Sequence, residues 1–137
     1  MEEQNIESVR GLYEAFGRGD VPGVLGAMTD DMEWHEAEGM PYGGVYRGGE
    51  EIAQNVFGPI VEDIPDFAVT PEEFIASGSK VAVVVCYSGT AKATGNTLNL
   101  PAVHVWDVRD GKVSRFRQFI DTVKFREAVP AEVTGRS

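Results

Sequence analysis

The sequence predicts an α+β domain: three N-terminal helices packed on a strongly curved, mixed and mostly antiparallel β-sheet that forms a cone-shaped pocket. Three observations carry this expectation. Apolar residues recur at helical spacing in the first part of the chain and alternate at strand spacing from Phe67 onward. Asp110-Gly111 lies between two alternating runs, the strongest short-range signal for a β-hairpin. Helices that precede a long antiparallel sheet must cover one of its faces.

Each element follows from local chemistry. Ile6, Val9, Leu12, Tyr13 and Phe16 form the apolar stripe of a first helix, which Gly17 and Gly19 stop. Asp20 is a good N-cap, Pro22 fits a first turn, and Val24, Leu25 and Met28 give a second helix ending near Thr29-Asp30. Residues 32–37 read as extended, with Trp34 and Glu36 on one face and Glu33 and His35 on the other. Gly39, Pro41, Gly43, Gly44 and Gly48-Gly49 make a turn-rich loop before a third helix over residues 50–57. Strands are expected at 67–76, 80–92, 98–109 and 112–121, parted by Gly78, Gly95-Asn96 and Asp110-Gly111. Residues 1–130 form one domain, and 131–137 read as a frayed tail.

The closing hairpin puts polar residues on an oily face. His104 shares its face with Ala102 and Trp106, and Gln118 shares its own with Phe116 and Ile120. A His and a Gln among aromatics point to a pocket, against the plainer reading of a solvated sheet face. Two registers fit an Asp-Gly turn. A two-residue turn sets Arg117 opposite His104; a turn with a Gly bulge sets Phe116 there and Gln118 opposite Ala102, and the bulged form is favoured because it brings Gln118 inward.

Composition narrows the function classes. The 137 residues carry 22 acidic and 12 basic side chains, and the net charge of −10 repels nucleic acid and anionic membranes, so neither is an expected partner. The single cysteine, Cys86, excludes an internal disulfide and a zinc site of paired cysteines, and suits a reducing, cytoplasmic setting. No stretch approaches the ~18 apolar residues of a membrane span. His35, Glu36 and Glu38 lack dense ligand spacing, so no metal is expected, and the glycine pairs do not form a dinucleotide fingerprint. No cofactor is expected.

Four segments carry a family resemblance: Phe16-Gly17-Arg18-Gly19-Asp20, Asp30-Asp31-Met32-Glu33-Trp34, residues 41–48, and the hairpin from His104-Val105-Trp106 to Phe119-Ile120-Asp121. Together they resemble the nuclear transport factor 2-like superfamily, and within it the SnoaL-like group related to polyketide cyclases and ketosteroid isomerases. The likeness spans nearly the whole chain and speaks to the fold more than to the reaction, because this fold hosts isomerases, cyclases, hydrolases, dehydratases and non-enzymatic binders.

The resemblance implies a set of roles. Glu36 falls where ketosteroid isomerases carry a carboxylate base; in a chain of 22 acids, its competing reading is a surface residue. His104 falls where an acid hydrogen-bonds a developing enolate oxygen. Gln118 stands near the general acid/base Asp of SnoaL-like cyclases, and an amide cannot shuttle protons. Asp121 reads mainly as a cap or ion-pair partner and is the second-choice acid. The tyrosine expected on the first helix of an isomerase matches Leu12, with Tyr13 one residue further round. Tyr13, Trp34, Tyr42, Phe57, Trp106, Phe116 and Ile120 are the expected substrate-binding residues.

Two readings follow. One is a cofactor-independent isomerase, cyclase or hydrolase/lyase acting on a small hydrophobic carbonyl compound of polyketide, steroid or terpenoid type. The other is a non-catalytic ligand-binding or dimerisation module. Residues 80–92 are apolar on both faces, and with the resemblance they imply a homodimer.

Overall fold

The computed structural model describes residues 1–130; the expected tail at 131–137 lies outside the described residues. Helix α1 (Glu2–Gly17) buries Val9, Leu12, Tyr13 and Ala15 along one stripe. The side chain of Asp20 caps α2 (Val21–Gly26) by accepting from the Gly23 N–H at 3.0 Å, with proline in the first turn. This helix is shorter than its apolar spacing suggests, because Met28 already belongs to strand β1 (Met28–Glu36).

Strand β2 (Gly44–Arg47) arises within the glycine-rich stretch, where a four-residue strand leaves too short a pattern to read. Helix α3 (Gly49–Ile52), a π-helical turn (Ala53–Phe57) and α4 (Gly58–Asp63) then run on continuously, past the expected end of the third helix. Strands β3 (Ala68–Ser77), β4 (Lys80–Thr90), β5 (Thr97–Arg109) and β6 (Lys112–Ile120) lie close to their expected spans. A further helix, α5 (Thr122–Ala128), joins the core through the fully buried Phe125.

The six strands form one open sheet in the order β2-β1-β6-β5-β4-β3. Among the described residues, only the β1–β6 pair is parallel. Irregularities in register within the β1–β6, β3–β4 and β5–β6 pairs bend the sheet around its inner face. Alternation is clean: Val81, Val83 and Val85 are buried inward, while Ala82, Val84 and Cys86 are half-buried on the outer face. At the centre, the ring of Trp34 stacks on Phe116 with centroids 3.7 Å apart, and Trp106 packs against both.

The closing hairpin corrects both expected registers. Asp110 (φ 51) and Gly111 (φ 79) form a two-residue turn of the primed kind, with Arg109 opposite Lys112. The bulge lies in the strand instead: Val108 pairs with Val113 and Asp107 with Arg115, so Ser114 is the extra residue. That insertion sets His104 opposite Gln118 and Trp106 opposite Phe116, and both polar side chains face inward. No described helix is long and apolar enough to cross a membrane.

Candidate functional site

Three buried polar residues interrupt the apolar core: Glu36, His104 and Gln118, exposed by 4, 4 and 6 %. Strand alternation aims all three at the same interior, from β1, β5 and β6. They meet around a cavity whose other walls include Leu12, Tyr13 and Phe16 of α1, Val56, Phe57 and Ile60 of the α3–α4 segment, and Trp34, Phe67, Val69, Tyr87, Trp106 and Phe116. Its open space is about 50 Å³. One water occupies about 30 Å³ of liquid volume, so the cavity is close to filled by its own side chains.

A continuous polar relay crosses this interior. The Trp106 Nε1–H donates to the Tyr13 hydroxyl at 3.0 Å, and that hydroxyl lies 2.6 Å from His104 Nδ1. His104 Nε2 lies 2.5 Å from the Tyr87 hydroxyl, which accepts from Gln118 Nε2 at 2.8 Å. Gln118 Oε1 accepts the backbone N–H of Ala37 at 3.0 Å, and this donor fixes which way the amide is turned. Both ring nitrogens of His104 are therefore engaged by tyrosines.

Glu36 stands differently. Its Oε1 accepts from Trp34 Nε1 at 2.9 Å, whereas its Oε2 is buried without a hydrogen-bond partner. Burial pushes the carboxyl up from its ordinary 4.5 to about 7, against the opposing influence of the Trp34 hydrogen bond and of the nearby Gln118 amide dipole. Burial pushes His104 down from 6.5 to about 3, which keeps the ring neutral. Both Tyr13 and Tyr87 are raised by burial, Tyr87 also by the charge of Glu36, and both stay protonated.

The expected residues divide cleanly by place. Glu36, His104, Gln118, Tyr13, Trp34, Phe57, Trp106 and Phe116 converge on the cavity. Asp121 does not: it is exposed and its carboxylate caps α5, accepting from the Lys124 N–H at 3.0 Å. Replacing Asp121 with alanine should cost about 1 kcal/mol in thermal or denaturant unfolding and leave the cavity's chemistry intact. Tyr42 is turned away, its hydroxyl donating to Asp63 at 2.9 Å and its ring packed against Phe125. Ile120 is half-buried at the end of β6 and is not among the cavity's lining residues.

His35 and Glu36 point to opposite faces of β1, so they cannot converge on one ion; His35 pairs instead with Glu33 at 2.5 Å on the outer face. No cluster of three or more His, Cys, Asp or Glu side chains suited to a metal occurs among the described residues. Sequence reasoning missed Tyr87, whose only signal was its place on the inward face of β4, in phase with Val81, Val83 and Val85.

Two outer grooves adjoin the cavity. At the polar end, Glu36 and Gln118 also border an open groove of about 690 Å³ lined by Arg117 and Arg126. Elsewhere on its wall, Phe16, Phe57 and Phe67 border both the cavity and a groove of about 510 Å³. Phe16 packs on Phe57 and Phe67 with centroids 5.5 and 6.4 Å apart.

The helices packed on a curved six-stranded sheet define a SnoaL-like domain. The family model for the SnoaL-like domain matches residues 9–116, and the chain belongs to that family. Among solved structures, an NTF2-like protein of unknown function from Burkholderia pseudomallei K96243 is 34% identical, covers 93% of this chain and 98% of its own, and superposes with a TM-score of 0.85. An NTF2-like protein from Burkholderia thailandensis E264 is 32% identical over 91% of this chain and 96% of that one, with a TM-score of 0.87. TerC, co-crystallised with polyporic acid, is 32% identical over 92% of this chain and 98% of that one, with a TM-score of 0.84. A comparison with curated proteins found no match.

Proposed function

We propose that this chain binds a small hydrophobic carbonyl compound in the cavity and acts on it by acid/base chemistry, with Glu36 as the base. The observation that carries this reading is the Glu36 carboxyl: buried among aromatics, with one oxygen unpartnered and an affinity for protons matched to neutral pH. A bound ketone would lose its α-proton to Oε2, and the electron pair of the broken C–H bond would move onto the carbonyl oxygen as an enolate. Returning the proton to another carbon of the delocalised enolate completes an isomerisation without a cofactor; attack of the enolate carbon on a second carbonyl carbon of the same molecule, with the proton passing to the resulting alkoxide oxygen, completes a ring closure. The polyporic acid co-crystallised with a relative 32% identical supports a small organic ligand for this branch of the family.

Binding requires room. Ligand sites of this kind enclose roughly 300–1,000 Å³, so the filled cavity must open. The phenylalanine wall of Phe16, Phe57 and Phe67 is the proposed entry for an apolar molecule. Phe57 ends the π-helical turn, an irregular segment of the sort found at functional sites.

The test is proton exchange. Ketones of aromatic polyketide, steroid and terpenoid type that raise the melting temperature are incubated with the protein in D2O, and loss of the α-proton signal is followed by NMR. Exchange faster than in buffer supports the base. Bound ketones whose α-protons exchange no faster than in buffer contradict it and favour the second reading, a ligand-binding or dimerisation module. We also propose a homodimer through the outer sheet face, where Ile75 and Phe119 are exposed by 52 and 53 %; a monomer mass in light scattering would overturn it.

A further inference from the structure

The relay across the cavity contains one hydrogen too many for its own contacts. Tyr13, His104 and Tyr87 make two contacts with each other, and each contact uses a single hydrogen. The two hydroxyls and the neutral imidazole together supply three. The outer neighbours cannot take the surplus, because Trp106 Nε1–H and Gln118 Nε2–H both donate into the tyrosine oxygens. Neither hydroxyl has a further hydrogen-bond acceptor among the described residues, and both tyrosines are among the residues that line the cavity.

Where the surplus hydrogen sits depends on the imidazole. With the proton on Nδ1, His104 donates to the Tyr13 oxygen and accepts from Tyr87, which leaves the Tyr13 hydrogen free. With the proton on Nε2, it donates to Tyr87 and accepts from Tyr13, which leaves the Tyr87 hydrogen free. The two arrangements have the same number of internal hydrogen bonds and differ only in which hydroxyl faces the cavity as a donor.

We infer that His104 is a tautomeric selector that lets the cavity offer one hydroxyl hydrogen to a ligand oxygen, from Tyr13 or from Tyr87, but not from both at once. This deepens the reading of a carbonyl ligand and rests on it for the occupant, though the hydrogen count itself does not. The same cavity holds one unsatisfied acceptor, Glu36 Oε2. The site therefore recognises a molecule that accepts one hydrogen bond at an oxygen and presents one acidic C–H or O–H to Glu36. An enolisable ketone or a hydroxyketone has that pairing; a plain hydrocarbon has neither half of it. As the enolate oxygen gains charge, the selected hydroxyl donates to it, and His104 and the outer donor of that tyrosine hold the hydroxyl in place. His104 is in this account a positioning residue, and Tyr13 and Tyr87 are the groups that touch the ligand.

The test reads the imidazole directly. The chain has two histidines, so 15N-histidine labelling gives two ring systems, and His35→Gln identifies the signals of His104. In the folded wild-type protein at neutral pH, His104 should carry one proton, on one nitrogen or averaged over both. Tyr13→Phe leaves no acceptor beside Nδ1, so the proton should move to Nε2, where the Tyr87 oxygen accepts it. Tyr87→Phe removes the acceptor beside Nε2, so the proton should settle on Nδ1, where the Tyr13 oxygen accepts it. Opposite tautomers in the two variants support the selector. The same tautomer in both overturns it. A doubly protonated ring in the wild type also overturns it, since it would donate to both tyrosines and free both hydroxyl hydrogens; this reading stands even where a variant fails to fold. The tautomer readout needs no turnover, so failure of Glu36 as a base and failure of the selector are separate results.

Discussion

Glu36→Gln is expected to slow α-proton exchange of a bound ketone by about 10²- to 10⁴-fold while leaving its binding nearly unchanged, the range typical of losing a positioned general base. Glutamine keeps the shape of the side chain, and its carbonyl oxygen can still accept from Trp34 Nε1 as Oε1 does. What disappears is the proton acceptor at the position of Oε2. The effect should therefore fall on the chemical step, with the melting-temperature rise on ligand addition preserved. Equal exchange rates in the two proteins would remove Glu36 from the role of base, whatever the ligand.

The second large effect is on stability, and Glu36 and His104 drive it in opposite directions. Below pH 4.5 Glu36 is protonated in both folded and unfolded chains. Between 4.5 and about 7 only the folded chain keeps that proton, so the stabilising advantage is lost as pH rises, to an extent of about 3 kcal/mol. His104 is neutral in both states above pH 6.5. From 6.5 down to about 3 only the unfolded chain takes up a proton there, so stability is lost as pH falls, to an extent of about 5 kcal/mol. Between pH 4.5 and 6.5 the two slopes oppose each other, and this pair adds little net pH dependence. Glu36→Gln should expose the histidine alone, giving a protein that loses stability steadily below pH 6.5. His104→Gln should expose the carboxyl alone, giving one that weakens as pH rises to about 7. Denaturant unfolding across pH 4–8 for wild type and both variants reads this directly, and parallel curves would show that neither group is shifted by burial.

Much of this architecture is legible from periodicity. The alternation that turns Trp34 with Glu36, and His104 with Trp106, to the same inner face survives in the fold because strand geometry allows nothing else once one face is buried. Register is less legible. The Asp-Gly turn takes its two-residue form, but Ser114 inserts one residue further along, a local irregularity with no mark in composition, and it decides that Gln118 rather than Arg117 or Phe116 opposes His104. Short elements also escape: β2 has four residues in a glycine-rich stretch, and α5 rests on one fully buried aromatic, Phe125. The site shows the same division. Glu36, His104 and Gln118 are conspicuous because polar residues on apolar faces demand a reason. Tyr87 is not conspicuous, because a tyrosine at the end of a valine-rich strand looks like core until its hydroxyl finds His104 and Gln118 across two other strands. Tyr42 errs the other way, since its rim position in sequence hides a hydroxyl committed to Asp63.

The proposed chemistry requires that one carboxyl in this cavity hold its proton near neutral pH and be free to exchange it with a ligand. The most direct measurement is a 13C NMR titration of the glutamate side-chain carboxyls in the wild-type protein, with Glu36→Gln identifying the signal of Glu36. A carboxyl that titrates near pH 7 and is absent from the variant is the predicted result. A Glu36 signal that titrates at its ordinary value near 4.5 would contradict the account, because a carboxylate of that acidity is hydrated and paired rather than waiting in an apolar cavity for a proton.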